Sequence, residues 1–327
     1  MFSLTRISSA IVLLWLAAAN VQAEWRRYPM GTMSWLHSIY FVDDNNGWIV
    51  GSMGTLLSTT DGGTTWVVTK KITRDNIRDV YFADSQHGWL LCEASIFESN
   101  TSVSYLLVTV DGGRTWQRND AFPGRDRMVR LFFLNAKFGC AVGESGSFWC
   151  LGDDQSSWQK RALPVRYLML DGRALNKRSL VLVGGGGTMM HTSDAGTTWT
   201  LSNAPVSKSK INSVHFIDEK KGYAVGVEGK IFSTRNGGLS WESQTSPISM
   251  ELNDVLFQSQ TKGYAVGDEG TIIQTTTGGA EWSVEASNTK YRLEGLAATN
   301  IRVFAVGFGG TMLVKDIVSS DDSKSGH

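Results

Sequence analysis

Short stretches of alternating apolar and polar residues recur along the chain, among them NIRDVYF, INSVHF and LNDVLF. Alternation with a period of two is typical of β-strands that bury one face. Each stretch is followed by a polar turn and by a run such as GYAVG, whose composition suits a strand buried on both faces. A third strand of the EGTIIQT type, a glycine-rich turn and a fourth strand that opens with Trp complete the unit. The pattern therefore predicts a repeated sheet of four antiparallel strands.

The end of the second strand provides a landmark in every copy of the unit. The aligned positions are Gly51, Cys92, Gly143, Gly184, Gly226, Gly267 and Gly307. Most of them lie about 41 residues apart, a period that is typical of one propeller blade. The single longer interval comes from an insertion at 94–104 that lengthens one hairpin. The sequence thus predicts an all-β fold, a seven-bladed β-propeller of four-stranded antiparallel blades.

The turn between the third and fourth strands has its own repeated sequence motif. Five copies are TTDGGTTW (59–66), TVDGGRTW (109–116), TSDAGTTW (192–199), TRNGGLSW (234–241) and TTTGGAEW (275–282), and LGDDQSSW (151–158) is a degenerate sixth. An Asp or Asn accepts hydrogen bonds from nearby backbone N–H groups, and Gly tolerates a positive φ. The Trp supplies a large apolar surface between neighbouring sheets. Every part of this motif has a structural role.

The last repeat lacks such a turn, and its outer strand is missing at the C-terminus. The segment EWRRYP near the start of the chain, with Trp25, has the spacing of an outer strand. We therefore expect the N-terminal segment to close the ring, which removes exposed sheet edges. The propeller is predicted to span 24–318, followed by a loose polar tail at 319–327.

The first 23 residues differ in character from the rest. Arg6, an apolar run at 10–19 and the small-residue end Val21-Gln22-Ala23 are typical of a signal peptide, and cleavage is expected after Ala23. An uncleaved membrane anchor is the alternative, although the run is short for a span. The mature protein is expected in an exported compartment, the periplasm, or the thylakoid lumen if the organism is photosynthetic.

Three cysteines fit an exported protein without defining a disulfide scaffold. Cys140 and Cys150 bracket a short hairpin and are candidates for a disulfide between neighbouring strands, whereas Cys92 has no evident partner. Three small buried side chains are the alternative interpretation. No metal-ligand spacing is present, so neither a metal nor a cofactor is expected.

Catalytic motifs are absent from the sequence. None of the five histidines lies in a metal-binding spacing or beside an evident nucleophile. The adjacent acidic residues fall in turns, where solvated charge is the ordinary explanation. The glycines at 184–187 form the second-to-third turn of their blade, since no Lys-Ser/Thr of a phosphate-binding loop follows. We expect no enzymatic activity.

Charge is distributed unevenly although the chain is formally neutral. The segments that lead from each outer Trp to the next inner strand are mostly basic, and in a propeller they share one face. Seven arginines are candidates for a partner-binding surface on that face: Arg74, Arg78, Arg125, Arg127, Arg130, Arg166 and Arg292. A positive surface attracts an acidic partner. The acidic residues of the second-to-third turns lie on the same face and reduce this field, so scattered solubility charge is the alternative.

The T-x-D-G-G-x-T-W turns resemble the Asp-box of bacterial neuraminidase repeats. Together with the GYAVG strands and seven blades, they resemble the photosystem II stability/assembly factor family over nearly the whole mature chain. This resemblance implies an exported, non-catalytic propeller that assists assembly of a membrane complex. It also implies an arginine patch that engages a new subunit, carried over here to Arg74, Arg78, Arg127 and Arg130.

The expected partner is a membrane-protein subunit or envelope complex with an acidic segment, bound by a monomeric protein that is at most peripheral to the membrane. Nucleic acid is not an expected partner. The alternative function is a glycan-binding or glycan-hydrolysing propeller, which would need a deep axial pocket with a carboxylate pair and aromatic walls.

Overall fold

The computed structural model describes residues 24–96, 101–124, 126–152, 157–205 and 208–317. These residues form seven antiparallel sheets of four strands each, and the inner strand of each sheet contacts the inner strands of its neighbours. The predicted seven-bladed propeller is confirmed. The signal-peptide prediction at 1–23 and the tail at 319–327 lie outside the described residues.

The strands are numbered in chain order, beginning with β1 (Arg26–Arg27), and blades one to six each run from the axis outward. Blade one comprises β2 (Leu36–Phe41), β3 (Gly47–Gly51), β4 (Leu56–Thr59) and β5 (Val67–Val68). Blade two comprises β6 (Asn76–Phe82), β7 (Gly88–Ile96), β8 (Thr101–Thr109) and β9 (Gln117–Asn119). Blade three comprises β10 (Met128–Asn135), β11 (Phe138–Gly143), β12 (Phe148–Leu151) and β13 (Trp158–Lys160).

Blades four to six follow the same order, and blade seven has three strands from the C-terminal part of the chain. Blade four comprises β14 (Met169–Ala174), β15 (Leu180–Gly184), β16 (Met189–Thr192) and β17 (Thr200–Leu201), and blade five comprises β18 (Ile211–Phe216), β19 (Gly222–Gly226), β20 (Ile231–Thr234) and β21 (Glu242–Gln244). Blade six comprises β22 (Leu252–Phe257), β23 (Gly263–Gly267), β24 (Ile272–Thr275) and β25 (Ser283–Glu285). The three strands of blade seven are β26 (Leu293–Ala298), β27 (Arg302–Gly307) and β28 (Thr311–Asp316).

Blade seven is completed by the N-terminal strand. β1 pairs antiparallel with β28, with Arg26 opposite Val314 and Arg27 opposite Leu313. Trp25 is buried against Tyr264, and its indole N–H donates to Glu285 Oε2 at 2.7 Å. The predicted closure of the ring by the N-terminal strand is therefore confirmed.

The core lies between adjacent blades, where the faces of two sheets meet. Trp48 of blade one stacks on Phe82 of blade two with ring centroids 3.4 Å apart. The tryptophan of each third-to-fourth turn meets a phenylalanine ring edge to face, as Trp66 does with Phe41. Such edge-to-face packing adds specificity to the burial of large apolar area.

The ring has two faces that differ in their turns. The linker face carries the segments that lead to each inner strand, together with the second-to-third turns. Six of these turns are short 3-10 turns at Ser52–Gly54, Glu144–Gly146, Gly185–Gly187, Val227–Gly229, Asp268–Gly270 and Phe308–Gly310. Gly310 is required there, since its φ is +67 and a Cβ would collide with the carbonyl of Thr32. The opposite face carries the third-to-fourth turns and is called the Asp-box face.

Asp111 shows how the Asp-box turn is built. Its carboxylate accepts the backbone N–H and the hydroxyl of Thr115 at 2.9 and 2.7 Å, and it accepts the hydroxyl of Thr109 at 2.8 Å. These bonds lower the pKa of the Asp111 carboxyl to about 2. Asn236 and Thr277 occupy the same place in blades five and six, and each accepts the backbone N–H four residues on.

Blades two and three contain the two departures from the repeat that the sequence indicated. β7 and β8 each extend over nine residues, which confirms the lengthened hairpin. In blade three, Cys140 and Cys150 face each other on β11 and β12 and are joined by a disulfide. Cys92 is buried and free.

Candidate functional site

Each inner strand has an irregularity near its start in the pairing with the second strand of its blade. The residue that directly follows this irregularity is the third of the strand in six blades and the fourth in β6. The residues at this bulge position surround the axis and differ between blades: Ser38, Asp79, Arg130, Asp171, Ser213, Asp254 and Gly295. A bulge leaves backbone N–H groups unpaired in the ladder, so it creates donors close to the axis. At the level of the bulge position, six of the seven residues around the axis are therefore polar.

Three carboxylates at the bulge position join one blade to the next. Asp79 accepts the N–H of Leu131 at 2.8 Å, and Asp171 accepts the N–H of Val214 at 3.0 Å. Asp254 in the same way accepts the N–H of Leu296 at 2.8 Å. Blades two and three, four and five, and six and seven are thus connected by buried hydrogen bonds.

Arg130 lies among these carboxylates in the middle of the axial channel. Its guanidinium is 3.7 Å from Asp79 and 3.9 Å from Asp171, beyond hydrogen-bond distance. Its Nε is buried without a partner, and among the described residues the side chain makes no hydrogen bond to the protein. Arg130 is therefore a cation of the channel whose hydrogen-bonding capacity the described protein atoms do not use.

The electrostatics of this group follow from its burial. Burial would lower the pKa of Arg130, but Asp79, Asp171 and Asp254 outweigh it and raise the pKa above its ordinary value. Burial raises the pKa of the Asp79 and Asp254 carboxyls even though Arg130 acts in the opposite direction. The sequence analysis named Arg130 as a candidate but missed the three aspartates. They could have been found because each is a charged residue at the same position of an inner strand that is otherwise largely apolar.

The linker-face mouth of the channel is a cavity of about 430 Å³. Val129, Leu168 and Leu170 form its apolar part, and Glu294 is its acidic lining residue. Its basic lining residues are Arg78, Arg127, Arg130, Lys210 and Arg292. The geometry thus combines apolar surface with guanidinium and ammonium groups. This combination suits an acidic segment that also carries an apolar side chain.

The basic side chains of this mouth are ion-paired. Glu93 lies between Arg78 and Arg127 at 2.6 and 2.7 Å, and Arg127 also contacts Glu144 at 2.5 Å. Burial acts to raise the pKa of the Glu93 carboxyl, but the hydrogen bonds from Arg127 and the charge of Arg78 hold it below its ordinary value. This network joins blades two and three on the linker face.

Arg292 has a comparable set of contacts on the opposite side of the mouth. Its guanidinium contacts Asp268 and Glu294, both at 2.8 Å, and donates to Asn253 at 2.8 Å. Lys210 pairs with Glu251 at 2.8 Å. The acidic residues anticipated on this face thus neutralise much of the local charge.

The predicted arginines therefore occupy different environments. Arg74 and Arg166 are exposed, and neither has an ion pair in the described part of the chain. Arg78, Arg127 and Arg292 line the mouth as paired groups, and Arg130 lines both the mouth and the cavity at the other end of the channel. Arg125 lies outside the described residues.

An aromatic cluster lies beside the mouth, on two segments that lead to inner strands and on the second-to-third turn of blade seven. Trp35 meets Phe308 with ring centroids 5.4 Å apart, and Tyr291 meets Phe308 at 5.9 Å. Phe308 is 46% exposed, and the neighbouring Met33 is more exposed still. Sequence reasoning missed this cluster because its members come from both ends of the chain and meet only after closure.

Neither a metal site nor a membrane span is evident in the described ranges. They contain no group of three or more His, Cys, Asp or Glu side chains placed to hold an ion. Nor do they contain a helix long and apolar enough to cross a bilayer.

Comparison with known proteins identifies relatives of the chain. The family model for "Photosynthesis system II assembly factor YCF48" matches residues 17–76, 142–235 and 233–316, which together are more than half of the sequence. The photosystem II assembly protein Ycf48 of Synechococcus sp. (strain JA-3-3Ab) is 24% identical over 296 residues, covering 63% of this chain and 87% of that protein.

Solved structures share the fold at lower identity. A structure described as YCF48 bound to D1 peptide has a TM-score of 0.73 and 20% identity, covering 90% of this chain and 97% of that one. Virginiamycin B lyase from Staphylococcus aureus has a TM-score of 0.76 and 8% identity, covering 91% and 100%. An enzyme and an assembly factor thus share this architecture, so the fold alone does not decide function. The family match does decide membership: the chain belongs to the photosystem II assembly factor YCF48 family.

Proposed function

We propose that this protein assists assembly of a membrane protein complex, as the photosystem II assembly factors of its family do, by holding a segment of an unassembled subunit on its linker face. The observation that carries the proposal is the mouth of the axial channel, where arginines surround apolar side chains. A relative of the same fold is described as bound to a D1 peptide, which is a segment of a membrane protein.

The chemistry of the mouth favours an acidic segment. Arg78 contacts Glu93 through its Nε at 2.6 Å, and its two terminal nitrogens donate no hydrogen bond to the described residues, so they can bind a client carboxylate. Arg74 and Arg166 add exposed positive charge without a competing acidic partner in the described part of the chain. The acidic neighbours of Arg127 and Arg292 position those guanidinium groups and limit nonspecific attraction of anions.

We further propose that the protein works as an exported monomer without catalysis. The axial carboxylates of Asp79, Asp171 and Asp254 all accept backbone N–H groups of neighbouring strands. These bonds give the three carboxylates a structural role, because each of them joins one blade to the next. The alternative of a glycan-hydrolysing site therefore has less support than client binding.

The test is a binding measurement with a fluorescent acidic peptide from D1, the protein named for the relative's bound peptide. The double variant Arg74→Glu/Arg166→Glu removes two unpaired cations and is expected to weaken binding at least about tenfold at low salt. Raising the ionic strength should weaken binding to the unmodified protein and have less effect on the variant.

Arg235→Glu is the matched control, because Arg235 is exposed on the Asp-box face. It should bind the peptide as the unmodified protein does. Equal affinity of the double variant and the control, or affinity that is independent of salt, would contradict the proposal that the linker face captures the client electrostatically.

A further inference from the structure

We propose that the Asp-box face carries a second site: an axial cavity that binds small carboxylic acids with a flat apolar body, such as aryl carboxylates. The cavity has a volume of about 420 Å³ and lies at the opposite end of the channel from the proposed client site. This volume is within the range of small-molecule pockets.

The wall contributed by blades one to three is aromatic. Tyr81 stacks on Phe133 with ring centroids 4.3 Å apart and planes inclined by 3°, and Tyr40 lies 5.1 Å from Tyr81. Burial raises the pKa of both tyrosines, so both phenols remain neutral. A flat apolar group placed against this wall gains stacking contacts and is removed from water.

The wall contributed by blades four and five carries a guanidinium group of which one nitrogen is hydrogen-bonded to the protein. Arg173 uses Nη1 for Asp171 and for the carbonyl of Gly172, both at 2.9 Å. Its Nε and Nη2 have no partner among the described residues, and the side chain is 33% exposed. The free edge of a guanidinium matches the two oxygens of a carboxylate.

His215 lies beside Arg173 on the same side of the cavity. Burial, together with the charge of Arg173, lowers the pKa of the His215 imidazole to about 3. The ring is therefore neutral at ordinary pH and adds a polar contact without positive charge. Recognition of an anion at this wall then depends on Arg173.

The inner end of the cavity also carries positive charge. Arg130 lines it, and within the described ranges its guanidinium makes no hydrogen bond to the protein. The carboxylates nearby would repel an anion, but Asp79 and Asp254 accept backbone N–H groups, and the positive charge of Arg130 offsets part of their negative charge. Arg173 similarly lies next to Asp171, which accepts four hydrogen bonds from its surroundings.

Blade seven leaves the space that a ligand would occupy. Its inner strand contributes Gly295, Ala297 and Ala298, together with Leu296. Other blades have larger side chains at the places of Gly295 and Ala297, among them Arg130, Tyr40 and Tyr81. The opening between the aromatic wall and the guanidinium wall therefore lies where blade seven has small side chains at these two places.

The experiment is a titration of the purified mature protein with sodium benzoate and sodium 4-hydroxybenzoate, followed by calorimetry and by ligand-detected NMR. Acetate tests the carboxylate alone, and benzyl alcohol tests the ring alone. We expect saturable binding of both aryl carboxylates, with each single-feature probe at least about tenfold weaker.

Two variants test the walls separately. Arg173→Met removes the guanidinium at similar side-chain length, and Ala298→Phe fills the cavity while keeping every charge. Each should weaken benzoate binding at least about tenfold, and the melting temperature of each variant shows whether it is folded. Arg235→Gln, on the same face but outside the cavity, should bind benzoate normally.

Several results would overturn the proposal. They are the lack of saturable binding of either aryl carboxylate, equal binding of acetate or benzyl alcohol, or unchanged benzoate affinity in folded Ala298→Phe. The Arg74→Glu/Arg166→Glu variant of the linker face should retain benzoate binding, so the two proposals fail separately.

Discussion

The Asp-box turns and the bulge position of the inner strands both place a polar side chain against backbone N–H groups, but they do so in opposite ways. In the turns, Asp61, Asp111, Asp194, Asn236 and Thr277 all make the same bond to the N–H four residues on. At the axis, the bonds cross to the next blade, and the residue type changes from blade to blade.

This difference shows which parts of a repeat protein can be exchanged. A turn that closes on itself is local and solvated, so a carboxylate, an amide or a hydroxyl serves equally well. An axial side chain is shared by several blades in a medium of low dielectric, so its charge and length are fixed by its neighbours. Repeated positions therefore build the ring, and unrepeated positions give it an individual chemistry.

The largest expected effect is at the axis. Arg130→Met removes the cation that lies among Asp79, Asp171 and Asp254 and leaves their charges uncompensated. Breaking a buried charge cluster in this way should cost about 3–4 kcal/mol of unfolding free energy near pH 8. Chemical denaturation monitored by tryptophan fluorescence measures this loss.

The pH dependence sharpens the same prediction. Removal of Arg130 raises the pKa of Asp79 and Asp254 further above the values of the unfolded chain, since Arg130 opposes the effect of burial. A carboxyl whose pKa is raised in the folded state destabilises the fold as the pH rises above the pKa of the unfolded chain. The loss of unfolding free energy in Arg130→Met should therefore be smaller at about pH 5 than near pH 8. Arg235→Met is the exposed control. A deficit that is the same at pH 5 and pH 8 would show that the loss is one of packing and not of charge.

Blade three offers a second comparison, since its Asp-box is degenerate and it alone carries a disulfide. The bond joins β11 to β12 across a separation of 10 residues and has no solvent exposure. In the chain-entropy model, closing a loop of this length stabilises a protein by about 2–3 kcal/mol. Cys140→Ala/Cys150→Ala should lose that amount in denaturant melts under oxidising conditions.

Cys92→Ala separates the disulfide from simple loss of a buried sulfur. Burial raises the pKa of the Cys92 thiol to about 12, so this group is unreactive and serves as a packing control. Reductant should lower the stability of the unmodified protein and of Cys92→Ala, and it should leave the double variant unchanged. Equal stability of the double variant and the oxidised protein would show that the disulfide forms in the folded state without adding to its stability.

Sequence predicted the repeated part of the molecule well because its information is local. The blade period, the turns and the missing tryptophan of the last repeat were enough to infer seven blades and closure through Trp25. The axial group was not predictable in the same way, since Asp79, Arg130 and Asp254 are far apart in the chain and meet only when the ring closes. Ion pairs between blades, such as Arg127 with Glu93, depend on the same geometry.

The smallest expected effect is in an Asp-box turn. Asp111→Asn keeps the oxygen that accepts the N–H of Thr115, as Asn236 does for Ser240 in blade five. Its melting temperature near pH 7 should differ from that of the unmodified protein by no more than about 1–2 °C. Asp111→Ala removes the acceptor and should have the lower melting temperature of the two variants.

The charge of Asp111 has a pH signature that the amide lacks. The hydroxyl and N–H of Thr115 lower the pKa of the folded carboxyl to about 2, below the value of about 3.9 in an unfolded chain. A depressed pKa gives stability that is present above about pH 4 and is lost as the pH falls toward 2. The difference in melting temperature between the unmodified protein and Asp111→Asn should therefore decrease over that interval. If the difference is constant between pH 5 and pH 2, the charge of Asp111 does not stabilise the turn, and the three residue types at this position (Asp, Asn and Thr) are interchangeable in charge as well as in shape.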